Sequence, residues 1–229
     1  VVCEEMNTSI EWQMPTLISN EREVIEWSER TGWAHLYRYS VDGELINPIT
    51  KGEWHVSQVL GVDDAKRVIY FTATGYNKDE NPYYLHLFRV NYDGSGLKQL
   101  DPKGFNGTFS LSDDRRYFTT TYSRVDAAPV SELYTTEGRK VTTLQTVDLE
   151  PLFAMGYQYP ETFVVKAADG ITDLHGVMYK PYDFDPNKKY PIIEYVYPGP
   201  QTEAVEQSWY HPLVRTDRLA QLGFIVITV

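Results

Sequence analysis

Trp33-Ala34-His35-Leu36-Tyr37-Arg38-Tyr39 and Tyr84-Leu85-His86-Leu87-Phe88-Arg89-Val90 carry His-Leu-aromatic-Arg in the same order, and each soon reaches Asp-Gly, at Asp42-Gly43 and Asp93-Gly94. A fainter third copy, Glu132-Leu133-Tyr134, is followed by Glu137-Gly138. A second element precedes every copy. Asn20-Glu21-Arg22 leads into Val24-Ile25-Glu26-Trp27, Asp63-Asp64-Ala65-Lys66-Arg67 into Val68-Ile69-Tyr70-Phe71, and Ser112-Asp113-Asp114-Arg115-Arg116 into Tyr117-Phe118-Thr119-Thr120. A polar turn followed by β-branched and aromatic residues is the signature of a strand, and Asp-Gly after such a run marks a hairpin. The unit therefore reads turn, strand, longer loop, strand, Asp-Gly turn, short strand. It recurs at roughly 45–50 residues, the period of β-propeller blades. About three units fit between Met14 and Val147, whereas propeller rings close with about four to eight blades, so further blades are expected outside the chain.

Composition narrows the function classes. The 229 residues are 42% hydrophobic and 23% charged, ordinary for a folded globular protein. Aromatics make up 14%, with 18 tyrosines, which favours strands. No apolar run approaches the length of a membrane-spanning helix, and Val1-Val2-Cys3-Glu4-Glu5 does not read as a signal peptide. The net charge is −11 with the basic residues scattered, so nucleic acid, which selects for a basic face, is not an expected partner. Cys3 is the single cysteine, leaving no internal disulfide and no cysteine-based zinc site. Asp183-Phe184-Asp185 lacks the glycine and later glutamate of a calcium loop and reads as a surface turn. Glycine-rich phosphate loops are absent. No metal and no cofactor is expected.

The pattern changes after Asp148. Leu149 to Gly156 reads as a short, helix-compatible connector, Glu161–Lys166 as a strand, Asp169-Gly170 as a turn, and Leu174–Pro181 as the returning strand. Pro191-Ile192-Ile193-Glu194-Tyr195-Val196-Tyr197 is an apolar strand ended by Pro198-Gly199-Pro200. Trp209 to Leu222 has helical spacing at Leu213, Leu219 and Leu222, with Gly223 as its stop. Phe224–Val229 is a continuous apolar run, as in strands buried on both faces of an α/β sheet. The expected fold is mainly β: residues 1–150 hold the last blades of a β-propeller, and residues 151–229 hold a linker and the incomplete start of an α/β domain.

At these residues a family resemblance enters. Lys188-Lys189-Tyr190-Pro191-Ile192-Ile193-Glu194-Tyr195-Val196-Tyr197-Pro198-Gly199-Pro200-Gln201 resembles the segment that enters the hydrolase domain of the dipeptidyl peptidase IV family. Glu29–Tyr39 is similar to one of that family's blades, and Ile49-Thr50-Lys51-Gly52-Glu53-Trp54 to its blade-to-blade passage. The resemblance runs from about Thr16 to the end. It implies a propeller joined to an α/β-hydrolase domain, with a Ser-Asp-His triad that releases X-Pro or X-Ala dipeptides from peptides with free N-termini. A tripeptide-releasing relative would look similar. The resemblance also implies dimerisation through the hydrolase domain and a periplasmic or extracellular location.

The family's nucleophile sits in Gly-x-Ser-x-Gly on a strand-to-helix turn. This chain contains no such motif, so alone it is expected to be inactive. None of His35, His55, His86, His175 and His211 is assigned as a catalytic base. All precede the place of the nucleophile, the reverse of the family order, and His35 and His86 share a repeat position that points to a structural role. No residue here is assigned to the acidic pair that holds the substrate amine. Tyr197 is the one catalytic candidate. Strand tyrosines are usually core residues, but the match at Val196–Pro200 implies that its hydroxyl is an oxyanion-hole donor. The reading from another class is a non-catalytic propeller that binds proteins. The segment from Tyr190 onward argues against it, because a pure propeller needs no strand-helix-strand appendix.

Overall fold

The computed structural model describes residues 13–197, 204–210 and 216–229. Cys3, Pro198-Gly199-Pro200 and His211 lie outside the described residues. The first repeat folds as β1 (Thr16–Ile18), β2 (Glu23–Ser28), β3 (His35–Ser40) and β4 (Leu45–Pro48), paired in that order. The second gives β5 (His55–Asp63), β6 (Val68–Thr74), β7 (His86–Asn91) and β8 (Lys98–Gln99), again in chain order. Both sheets are antiparallel throughout. The third comprises β9 (Asn106–Leu111), β10 (Tyr117–Arg124), β11 (Ala127–Thr135) and β12 (Lys140–Thr146). Each sheet thus holds one strand more than the repeat pattern predicts. The extra strand comes first, and in the second sheet its pairing slips twice, between Val56 and Gln58 and between Val59 and Gly61, which blurs the alternation that marks a strand in sequence.

The three hairpin turns are superimposable in their bonding. Ser40, Asn91 and Thr135 each accept an N–H from the glycine three residues on, at 2.8–3.0 Å, and each donates to the carbonyl of the next residue but one beyond that turn's aspartate or glutamate, at 2.9 Å. The loop is therefore three residues long, a type I turn closed by a glycine in the left-handed region, with Gly43, Gly94 and Gly138 at φ 84° to 90°. The acidic residue is the middle of that loop.

The first two sheets share one core, in which Trp54, Phe71, Phe88, Trp27 and Ile25 are buried. Phe71 and Phe88 stack at 5.6 Å, and Trp54 stacks on each at 6.2–6.3 Å. The indole N–H of Trp27 donates to Val56 O at 2.6 Å, so the polar end of that buried ring is satisfied. A second cluster joins Tyr70 and Leu87 to Phe118 and Tyr134.

The chain divides into two compact units. One comprises the residues up to Thr121 with Glu132–Thr143, the other Tyr122–Ser131 with Leu144 onward. In the second unit, α1 (Glu150–Ala154) is followed by a sheet of β13 (Glu161–Lys166), β14 (Asp173–Tyr179), β15 (Ile192–Glu194) and β16 (Ile225–Thr228), in the order β13-β14-β16-β15. β13, β14 and β16 are antiparallel neighbours, whereas β15 and β16 are parallel. Parallel neighbours need a crossover, and α2 (Thr216–Ala220) lies on it. Ala220, Val226, Val177 and Tyr179 form the core, together with Val125 from the tip of the β10–β11 hairpin.

In the second unit two elements depart from the sequence reading: the strand expected over Pro191–Tyr197 pairs as β15 only at Ile192–Glu194, and the helix expected from Trp209 starts later. The helix expected from Trp209 is absent at Trp209 and Tyr210, and the described helix starts at Thr216. Trp209 spends its backbone N–H on Ser123 Oγ (3.2 Å) and its indole N–H on the Tyr157 hydroxyl (2.9 Å). The C-terminal stop holds: Gly223 has φ +96° and its N–H reaches Ala220 O at 3.0 Å.

Candidate functional site

Tyr197 lies three residues beyond the carboxyl end of β15. The parallel ladder carries on past the strand, because Tyr195 N–H donates to Ile227 O at 2.9 Å. Tyr197 is 55% exposed, with Tyr195 and Val196 exposed beside it. In open α/β sheets, ligands collect outside the carboxyl ends of parallel strands, and that is the end of β15 on which Tyr197 stands.

Four of the five histidines lie among the described residues. His35 is buried, with Nε2 2.9 Å from Gly52 O and Nδ1 3.1 Å from Thr50 Oγ1. A carbonyl only accepts, so Nε2 carries the proton and Nδ1 accepts from Thr50. Burial, with His55 nearby, holds this imidazole below its ordinary pKa even though Gly52 O favours the charged form. His86 is equally buried but faces different chemistry: Nδ1 is 2.7 Å from Asp101 Oδ2 and Nε2 2.8 Å from Glu80 Oε1. Burial opposes its charge, yet the two carboxylates outweigh burial and raise its pKa. His55 packs edge-on against Trp27 at 5.8 Å, and His175 lies in β14 opposite Val164. Asp183 and Asp185 stand in the turn before β15, where Asp185 Oδ1 accepts Asn187 N–H at 2.9 Å. Among the described residues no group of three His, Cys, Asp or Glu is arranged to hold a metal ion.

Four-stranded sheets in series, then a sheet with a parallel pair, frame the comparison with known proteins. The profile of the dipeptidyl peptidase IV (DPP IV) N-terminal region matches residues 4–129. The chain belongs to the dipeptidyl peptidase IV family. Among curated dipeptidyl peptidase IV proteins, the "dipeptidyl peptidase 4" of Trichophyton equinum is 34% identical over 200 residues, covering 84% of this chain and 25% of its own length. That of Arthroderma otae is 31% identical over 198 residues, with the same 84% and 25% coverage. Among solved structures, a putative dipeptidyl aminopeptidase IV from Bacteroides ovatus aligns with a TM-score of 0.76 at 30% identity, over 93% of this chain and 32% of that one. Dipeptidyl peptidase 4 from Porphyromonas gingivalis shares the fold, with a TM-score of 0.75 at 24% identity, over 93% of this chain and 29% of that one. The chain spans about a quarter of the length of these curated relatives.

Two features of this chain escaped the sequence reading. The first is the Trp209–Tyr157 pair. Nothing in the spacing of two aromatics 52 residues apart announces a hydrogen bond. The second is the partnership of His86 with Asp101. A signal for it exists: Thr50 and Asp101 each follow their repeat's histidine by 15 residues, so the repeats align at a position where one carries a hydroxyl and the other a carboxylate.

Proposed function

We propose that this chain is part of a serine exopeptidase that releases N-terminal dipeptides, X-Pro or X-Ala, through an acyl-enzyme. In this reading residues 1–150 are propeller blades and residues 151–229 open an α/β-hydrolase domain whose nucleophile lies in a further segment. Several observations support it: the family, the relatives named dipeptidyl peptidase 4, and the parallel β15–β16 pair joined by a crossover through α2. The observation that carries the site is the placement of Tyr197, half exposed at the carboxyl end of a parallel strand.

The chemistry follows from what serine attack requires. Attack on the scissile carbonyl places a full negative charge on its oxygen, and donors aimed at that oxygen in a water-poor site lower the barrier. One donor is the backbone N–H after the nucleophile, and the second comes from a loop after an early strand. The Tyr197 hydroxyl is that second donor. It gives a hydrogen bond and does not act as a base. Because Pro198 follows, the backbone at Tyr197 is restricted to extended conformations, which helps aim the ring. In the full-length enzyme, Tyr197→Phe should lower kcat on the order of 10²–10³-fold, the loss typical of one oxyanion donor. KM should change little, since the bond strengthens in the transition state. A folded Tyr197→Phe enzyme with near-wild-type turnover of a Gly-Pro chromogenic amide would remove the assignment.

A further inference from the structure

We propose that protonated His86 is a latch that holds the β6–β7 loop, residues 75–85, against the second sheet, and that the loop is released when the imidazole loses its proton. Equivalent histidines in two repeats are wired differently. His35 meets a hydroxyl and a carbonyl, both neutral. His86 meets two carboxylates, and it meets them from two different elements: Asp101 from the segment after β8, and Glu80 from the β6–β7 loop. The side chains of His86 and Asp101 are each 1% exposed and that of Glu80 9%.

Each carboxylate also carries backbone. Asp101 Oδ1 accepts Leu87 N–H at 2.8 Å, and Glu80 Oε2 accepts Gly104 N–H at 2.6 Å. Neutral amides fill the remaining space. Asn77 Nδ2 donates to Glu80 Oε1 at 2.6 Å and to Gln99 Oε1 at 2.9 Å. Gln99 Nε2 donates to Asp101 O at 3.2 Å; it also lies 3.0 Å from His86 Nδ1, where two donors face each other once the imidazole is protonated, so no hydrogen bond forms there in the latched state. Glu80 Oε1 stands 2.8 Å from Nε2, a close charge contact that helps to raise the imidazole's pKa. Its strength therefore depends on the imidazole being charged.

Deprotonation leaves two buried carboxylates without their shared cation, and an unpaired buried charge is strongly unfavourable. The loop is the side that can yield. Its ends are pinned, by Tyr76 packing edge-on against Phe88 (4.9 Å) and Trp54 (5.4 Å) and by Leu85, whose N–H donates to Asn106 Oδ1 (2.8 Å) and whose carbonyl accepts Gly107 N–H (3.1 Å). Its middle is held by Asn77, Glu80 and Lys78 Nζ donating to Glu53 O at 2.6 Å, and that middle yields, whereas Asp101 stays tied to β7 through Leu87. The sign follows from the raised imidazole pKa. The latch is complete below the unfolded-state value of about 6.5 and weakens as pH rises through the folded-state value. Burial raises the Asp101 carboxyl as well, which moves the acid edge of the ion-paired window upward.

Hydrogen exchange read by mass spectrometry on the full-length protein tests this, with rates converted to protection factors between pH 6 and 9. Peptides covering residues 75–85 and 101–106 should lose protection by up to tenfold per pH unit once the imidazole titrates, while the β2–β3 loop, residues 29–34, should not. Glu80→Gln and His86→Gln should flatten that dependence. Asp101→Thr, which installs the partner that the first sheet uses, should also flatten it while keeping the strands protected. Constant protection of residues 75–85 across this range would overturn the latch. So would an unchanged pH response in folded Asp101→Thr. If His86→Gln does not fold, the wild-type series and Asp101→Thr decide.

Discussion

Replacing Gly94 by alanine should weaken the second sheet by roughly 2–4 kcal/mol, and the structure separates that cost into two parts. Gly94 has φ +85°, and a Cβ there would stand 2.8 Å from Ile49 O and 3.4 Å from Pro48 O. The left-handed conformation alone costs an L-residue about 1–2 kcal/mol, of which about 0.4–1 kcal/mol is returned by the stiffer unfolded chain. The clash adds about 1–3 kcal/mol, because the opposing atoms are backbone and cannot rotate away. Gly32 supplies the control. It has the same φ of +85°, but a Cβ there meets nothing within 4 Å. Gly32→Ala should therefore cost only about 1 kcal/mol or less. Local unfolding energies from hydrogen exchange on peptides over β3–β4 and β7–β8 are the right measurement, since a protein of several units does not melt as two states. Equal losses in the two variants, within about 0.5 kcal/mol, would mean that the turn does not press on the strand passage at Ile49 and would refute the reasoning.

Two further outcomes are expected beside those for Tyr197 and His86. Phe71 is fully buried and stacks on Phe88 and Trp54, so Phe71→Ala should lower the stability of the first two sheets by about 3–5 kcal/mol in chemical denaturation, against no more than about 0.5 kcal/mol for Val141→Ala on the exposed β12. His35 should respond to pH in the sense opposite to His86. Its pKa is depressed by burial, so the unfolded state takes up the proton first, and protection of β3 should fall as pH drops through about 6.5; protection that rises on acidification would contradict the neutral assignment.

The blades were legible because their signals are local. Val68–Phe71 and Tyr117–Thr120 read as strands from residue type and form β6 and β10. Asp42-Gly43 and Asp93-Gly94 marked hairpins whose turns need a glycine in the left-handed region. The repeat itself supplied the period and with it the blades, whereas the family came from the resemblance at Glu29–Tyr39, Ile49–Trp54 and Lys188–Gln201. The first strand of each sheet was harder to see, since the bulges of β5 break the alternation. The helix placed at Trp209 failed because spacing cannot reveal that Trp209 has partners at Ser123 and Tyr157. For the site, the resemblance named Tyr197, while exposure and the parallel ladder beneath it came from the structure.

What the sequence determined alone is whatever depends on neighbours a few residues apart: where strands run, where the chain turns, and that one pattern repeats and then stops. Hydrophobic alternation and turn chemistry act over that range and need no fold to be read. Only the tertiary structure decided that β15 lies parallel to β16 with Tyr197 at its carboxyl end, that the hairpin tip 122–131 puts Val125 into the second unit's core, and that His86 faces carboxylates where His35 faces neutral groups. Each of these joins groups far apart in sequence, and the energy that selects such pairs is burial and charge in a low-dielectric interior, which exists only once the chain has closed around them.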